Sequence, residues 1–221
     1  MLQVIILTAL CAVFATVFLR AEMKESYVWA DVWKAFASLC FVLIGVLNSP
    51  GGNVSGLLVC GLILGFIADI LLNLRFIFKK RGQLAFLIGI LVFLAGHIVY
   101  LIAILEMSVN WKISIAIGIV LALLLILWLF KNITAKLPFK IFGVVYIGAI
   151  MLMNAVAMGN LVAFPSAFTI IFALGAVLFL ISDIVLIINT FGKKFRESFR
   201  ILNIVLYYAG QILIGVSLMF L

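Results

Sequence analysis

Polar and apolar positions do not alternate with the period of a strand or of a surface helix. Apolar residues run for about twenty positions at a time, and short polar stretches break the runs at similar intervals. Crossing a bilayer core takes about 20 helical residues. The runs predict eight spans, at about 2–19, 28–47, 54–74, 84–105, 112–130, 141–158, 167–190 and 201–220. The three prolines, Pro50, Pro138 and Pro165, are assigned to connections, so the helices should be unbroken. The predicted fold is an all-α integral membrane protein of one transmembrane domain, 1–221.

Composition strengthens this reading. Hydrophobic residues make up 68% of the chain, charged residues 10%, and the mean hydropathy is +1.47. Soluble domains carry about a quarter charged residues. The net charge of +8 invites a nucleic-acid reading, but the placement of the charges explains it better. Arg20 and Lys24 fall in the first loop, Arg75, Lys79, Lys80 and Arg81 in the third, Lys131, Lys136 and Lys140 in the fifth, and Lys193, Lys194, Arg196 and Arg200 in the seventh. The positive-inside rule then puts the odd loops in the cytoplasm and both termini outside. A bacterial inner membrane is the expected location, with membrane lipids and no nucleic acid as partners. Cys11, Cys40 and Cys60 lie in three separate spans without metal-type spacing and read as small core residues.

Within this apolar background two acids stand out. Asp69 lies in FIADILLNL and Asp183 in FLISDIVLI. GLILGFIADILL (61–72) overlays GAVLFLISDIVL (175–186) at an offset of 183 − 69 = 114 residues. The same offset pairs Lys79-Lys80 with Lys193-Lys194, and Ala95-Gly96-His97-Ile98 with Ala209-Gly210-Gln211-Ile212. Four helices separate the copies, so they point the same way, as in a parallel internal repeat with helices 3–4 resembling 7–8.

An ionisable residue inside a span costs about 2.5–3.5 kcal/mol on insertion scales and normally faces a bundle interior or a watery cavity. Lys34, Asp69, Asp183 and Tyr207 each lie at a depth of roughly 10 Å from the basic ends of their helices, at 1.5 Å per residue. Gln211 lies slightly deeper and His97 near the middle. Lys34 is a candidate site-lining residue that could equally snorkel to the interface or pair with Asp31 one turn earlier. His97, the lone histidine, is a candidate to orient an aspartate or to contact water or phosphate, and should outweigh Gln211 in turnover. Tyr100, Tyr146, Tyr207, Tyr208 and Gln211 are candidate site-lining groups that could equally be interhelical hydrogen bonders. Ser182 is a further candidate site-lining group, its hydroxyl expected to bond back to its own helix.

These motifs carry a resemblance. The fourth span has F-x2-G-x3-F-x3-H-x2-Y (Phe86, Gly89, Phe93, His97, Tyr100), the seventh S-D-x2-L from Ser182, and the eighth Y-Y-x2-Q-x-L-I-x2-S from Tyr207 to Ser217. With A-D-x2-L at Asp69 and Y-x4-M at Tyr146, the set resembles the YhhN family of eight-span membrane proteins, whose characterised members are lysoplasmalogenases. This chain has Ala68 where the family tends to have Gly before the first Asp, and Lys34-Ala35 where it tends to have Lys-Pro.

The resemblance implies hydrolysis of the vinyl ether bond of a lysoplasmalogen, with Asp69 and Asp183 as catalytic residues and no metal or cofactor. The residue types suit that chemistry. Protonating the β carbon of a vinyl ether gives an oxocarbenium ion, which water captures. Two carboxyls in one low-dielectric site can serve as acid and as counter-charge, because burial and mutual repulsion leave one protonated while the other stays ionised. The expected pocket opens toward the basic loops, walled mainly by the third, fourth, seventh and eighth spans. The rival is a small transporter or lipid flippase with a midplane acidic site. A zinc hydrolase of the ceramidase type needs several histidines, and this chain has one. Headgroup and oligomeric state are not legible.

Overall fold

The computed structural model describes every residue except Lys79 and Lys136, together with the side chain of Pro138. The two lysines belong to the expected basic loops and lie outside the described residues, as does the Lys79 half of its pairing with Lys193. Eight helices make up the described chain: α1 (Leu2–Met23), α2 (Tyr27–Asn48), α3 (Asn53–Ile77), α4 (Gly82–Leu105), α5 (Trp111–Asn132), α6 (Leu137–Ala163), α7 (Ala167–Phe191) and α8 (Glu197–Ser217). Each is long and apolar enough to cross a membrane. The chain is an all-helical integral membrane protein.

Most helix ends reach beyond their apolar cores, by up to five residues at the end of α6, because a helix does not stop where hydrophobicity stops; α8 instead ends at Ser217, three residues short of the expected 220. Another boundary corrects the sequence reading. α6 starts at Leu137, so Pro138 lies in its first turn and not in the connection. The first N–H groups of a helix have no intrahelical acceptor, so a proline costs little there. α7 starts more firmly. Ser166 accepts from Thr169 N–H at 3.2 Å, while Thr169 Oγ1 accepts from Ser166 N–H at 2.9 Å, a reciprocal capping box.

Neighbouring helices are joined by short loops and fold back on one another. α2, α3, α4, α6, α7 and α8 contact in that order and close a ring, with α8 returning to α2. α1 packs outside against α2, and α5 outside against α6. Exchanging each helix for the one four places along preserves this order. α3 and α7 are equally long, with bounds shifted by the same 114 residues. Both features are compatible with the parallel repeat.

Contacts between loops define the two ends. Arg200 at the start of α8 binds Glu22 at the end of α1. Tyr27 stacks on Phe76, and Thr134 N–H donates to Phe191 carbonyl at 2.8 Å. The first, third, fifth and seventh loops therefore gather at one end, the end that carries the basic residues. Asn53 and Glu106, 2.6 Å apart, join the second and fourth loops at the other.

Where helices approach closely, glycine is required. A Cβ at Gly175 in α7 would stand 2.9 Å from Gly210 carbonyl in α8, and a Cβ at Gly210 would stand 2.9 Å from Gly175 carbonyl. Such close backbone approach is how membrane helices gain contact without a hydrophobic driving force between them. It fixes α7 against α8 at Gly175, eight residues (183 − 175) and about 12 Å below Asp183.

Candidate active site

Asp69 sits on α3 and Asp183 on α7, each eight residues before the end of its helix (77 − 69 and 191 − 183). At 1.5 Å per residue both lie about 12 Å from the basic end. They are 2% and 3% exposed, and both line a single cavity of about 120 Å³, room for several waters. It runs between the six ring helices from the acid layer toward the basic end. Its upper wall is apolar and aromatic, from Phe86, Ile90, Phe139, Phe142, Ile187 and Phe191. Its polar floor is Lys34, Asp69, Tyr146, Asp183 and Tyr207.

Around Asp69 three donors converge. Lys34 Nζ lies 3.0 Å from Oδ1. Ser38 Oγ donates to Oδ2 at 2.5 Å and Tyr207 hydroxyl donates to the same oxygen at 2.7 Å. Lys34 and Ser38 are four apart in sequence, so α2 presents both on one face. Lys34 neither snorkels nor pairs with Asp31. It bridges to the next helix, and Asp31 Oδ1 is left without a hydrogen-bond partner. A deep ammonium gains more from a buried carboxylate 3.0 Å away than from one nearer the interface, where water competes.

Asp183 is held differently. Tyr146 hydroxyl, from α6, donates to its Oδ2. Among the described residues Asp183 has no ion pair and no second hydrogen-bond donor. The two acids thus share a depth and a cavity but have unlike partners: a cation with two hydroxyls on one side, a single phenol on the other.

Behind this floor lies a second layer. Tyr208 hydroxyl is 3.2 Å from Ser38 Oγ and donates to Lys34 carbonyl at 3.4 Å, bracing the α2 face. Tyr100 hydroxyl donates to Gln211 Oε1 at 2.9 Å, tying α4 to α8. His97 Nδ1 donates to Phe93 carbonyl at 2.9 Å, while Nε2 is buried without a partner. Its ring packs edge-on against Tyr146 and Phe179, with centroids 5.3 and 4.7 Å away. Among the described residues His97 hydrogen-bonds to neither aspartate, and it meets the cavity lining through the rings of Tyr146 and Phe93. Tyr100, Tyr208, Gln211 and Ser182 likewise stand outside the cavity lining.

Ser182 corrects another expectation. Its hydroxyl does not bond to its own helix but donates to Asn203 carbonyl on α8 at 3.0 Å. Asn203 Nδ2 returns bonds to Ser182 carbonyl at 3.1 Å and to its hydroxyl at 2.8 Å. Asn203 also accepts from Arg200. This pair locks α7 to α8 beside Asp183.

The wall is mostly the one expected. α3, α4, α7 and α8 contribute as foreseen, but α6 supplies Phe139, Phe142, Gly143 and Tyr146, and α2 supplies Lys34. Ser38, Asn203, Arg75 and Arg200 were missed as site residues. Ser38 carried a usable signal, a second polar residue one turn after Lys34. Arg75 and Arg200 were counted only as loop charges, although both side chains line the cavity mouth.

Comparisons with curated proteins and with solved structures found no match. The profile of the YhhN family matches residues 29–218, from α2 to the end of α8, and so takes in all six ring helices and every polar residue of the cavity floor. The chain belongs to the YhhN family.

Proposed function

We propose that the protein is a lysoplasmalogenase, hydrolysing the vinyl ether bond of an alkenyl-glycerophospholipid to a fatty aldehyde and a glycerophospho-base. The observation that carries the reading is the pair of carboxyls on one cavity with unequal partners. Asp69, with a cation at 3.0 Å and two hydroxyl donors, is assigned the part of the counter-charge. Asp183, with one phenol, is the carboxyl that carries the exchangeable proton.

The reaction follows from that division. Asp183 donates its proton to the β carbon of the vinyl ether, the double-bond electrons form the new C–H bond, and the α carbon becomes an oxocarbenium ion. Asp69 stabilises this positive charge through the cavity. Water adds to the α carbon and loses its proton to Asp183, which restores the acid and leaves a hemiacetal. Collapse of the hemiacetal breaks the carbon–oxygen bond to glycerol. The hydroxyl proton ends on the departing glycerol oxygen, and one water is consumed overall. A single chain enters between the ring helices, and the apolar, aromatic wall suits it.

The test is direct. Purified protein in detergent is incubated with lysoplasmalogen and with the matching saturated alkyl-ether lipid, and products are resolved by mass. Aldehyde should form from the vinyl ether alone. Asp69→Asn and Asp183→Asn should each lose at least about 10²-fold in turnover while remaining monodisperse, since general acid catalysis alone is worth about 10²–10⁴-fold. Absence of aldehyde, with solute movement only in sealed vesicles, would assign the fold to a transporter instead.

A further inference from the structure

Two cavities meet at the neck of the acid pocket. The second, about 270 Å³, lies nearer the basic end. It shares Arg75, Leu186, Thr190 and Arg200 with the acid cavity. The two arginines are unlike. Arg200 is committed: its Nη2 and Nε bind the Glu22 carboxylate at 2.8 and 2.9 Å, and its Nη1 donates to Asn203 at 3.2 Å.

Arg75 has no such partner. Its guanidinium carbon lies over the rings of both Phe76 and Phe86, 4.4 and 4.5 Å from their centroids. Among the described residues no carboxylate lies within ion-pair reach, and Nε is buried without a hydrogen-bond acceptor. The N–H donors of a guanidinium lie in its plane, so they meet a ligand at its edge. That edge is the flat N–H fork that matches phosphate oxygens two at a time. A cation held this way, with its donors unspent, is a built place for an anion.

We infer that Arg75 binds the phosphate of a lysophospholipid headgroup at the neck and so sets how deep the chain enters. The inference rests on the lysoplasmalogenase reading and gives it a ruler. Arg75 lies six residues beyond Asp69 on α3 (75 − 69), about 9 Å along the helix axis. In a lysoplasmalogen seven bonds separate phosphorus from the vinyl β carbon. Three bonds of an extended chain span about 3.8 Å, so seven span about 9 Å. Phosphate on Arg75 would therefore bring the vinyl ether to the layer of Asp69 and Asp183.

The decisive experiment is binding without turnover. The full chain, purified in a phosphate-free maltoside detergent, is titrated with a saturated 1-O-alkyl lysophospholipid and with the matching phosphate-free alkylglycerol, read by native mass spectrometry. The wild-type protein should prefer the phosphate-bearing lipid. Arg75→Gln should cut that preference about 10- to 100-fold, the loss of a charge-assisted pair, and Arg75→Lys, which keeps the charge but not the fork, should fall between.

Unchanged preference in Arg75→Gln, or in Arg75→Lys and Arg75→Ala should the Gln variant fail to fold, would overturn the assignment. Displacement of the lipid by inorganic phosphate at similar concentration would also overturn it, by making the ligand free phosphate. Because no bond is broken, a protein that releases no aldehyde but shows this pattern would sink the hydrolase reading and leave the anion site standing. Aldehyde release without phosphate preference would do the reverse.

Discussion

The ion pair between Lys34 and Asp69 is the most consequential contact of the site, and its removal can be worked through. The charges are 3.0 Å apart and both residues are at least 95% buried. At an effective dielectric of about 20 the attraction is roughly 5–6 kcal/mol, most of it offset by the cost of desolvating both groups. The asymmetry lies in the single mutants. Lys34→Met leaves a buried carboxylate whose remaining donors are Ser38 and Tyr207, and Asp69→Asn leaves a buried ammonium facing an amide. Each should destabilise the fold by about 3–5 kcal/mol. The double variant Lys34→Met/Asp69→Asn loses both charges together and should be more stable than either single, with a coupling energy of at least about 2 kcal/mol. The assay is reversible unfolding of the four proteins in mixed micelles, followed by loss of helical signal against denaturant. Additive effects, with the double variant the least stable, would refute the claim that these two groups act as a coupled ion pair.

The same geometry makes further predictions. Tyr146→Phe removes the one donor found on Asp183 and should lower turnover about 10- to 100-fold in an aldehyde-release assay, with little change in thermal stability. The Asp69→Asn/Asp183→Asn double variant should be little slower than the poorer single, since residues acting as one unit are not additive. Gly175→Ala sets a methyl group against the Gly210 carbonyl and should destabilise the α7–α8 contact by about 1–3 kcal/mol, whereas Gly148→Ala on α6, with open space around it, should be neutral in the same unfolding measurement.

How much of this was legible in the sequence depended on the kind of signal. The eight spans were, because each needs an uninterrupted apolar run and polar loops interrupt the runs. Asp69 and Asp183 were, because burying an acid in a membrane is costly enough to demand a reason. Partners were not. Whether Lys34 meets Asp31 on its own helix or Asp69 on the next depends on the rotation of α2 against α3, which no local pattern encodes. Ser182 illustrates the same limit: an intrahelical bond is the local default, and only the close α7–α8 approach brings Asn203 within reach. The α6 wall went unseen because Phe139, Phe142 and Gly143 look the same whether they face lipid or a cavity. Arg75 was hidden by its neighbours, a basic loop that the positive-inside rule already explained.

The central claim is that a carboxyl protonates the vinyl ether carbon, and solvent isotope reports it. Turnover of lysoplasmalogen in D₂O, with the aldehyde reduced as it forms to block exchange, should leave one deuterium on the carbon next to the former aldehyde carbon. The rate should fall, since carbon protonation limits the chemical step, and Asp183→Asn should abolish both the product and the label. Aldehyde formed without solvent deuterium at that carbon, or full turnover by Asp183→Asn, would contradict the account.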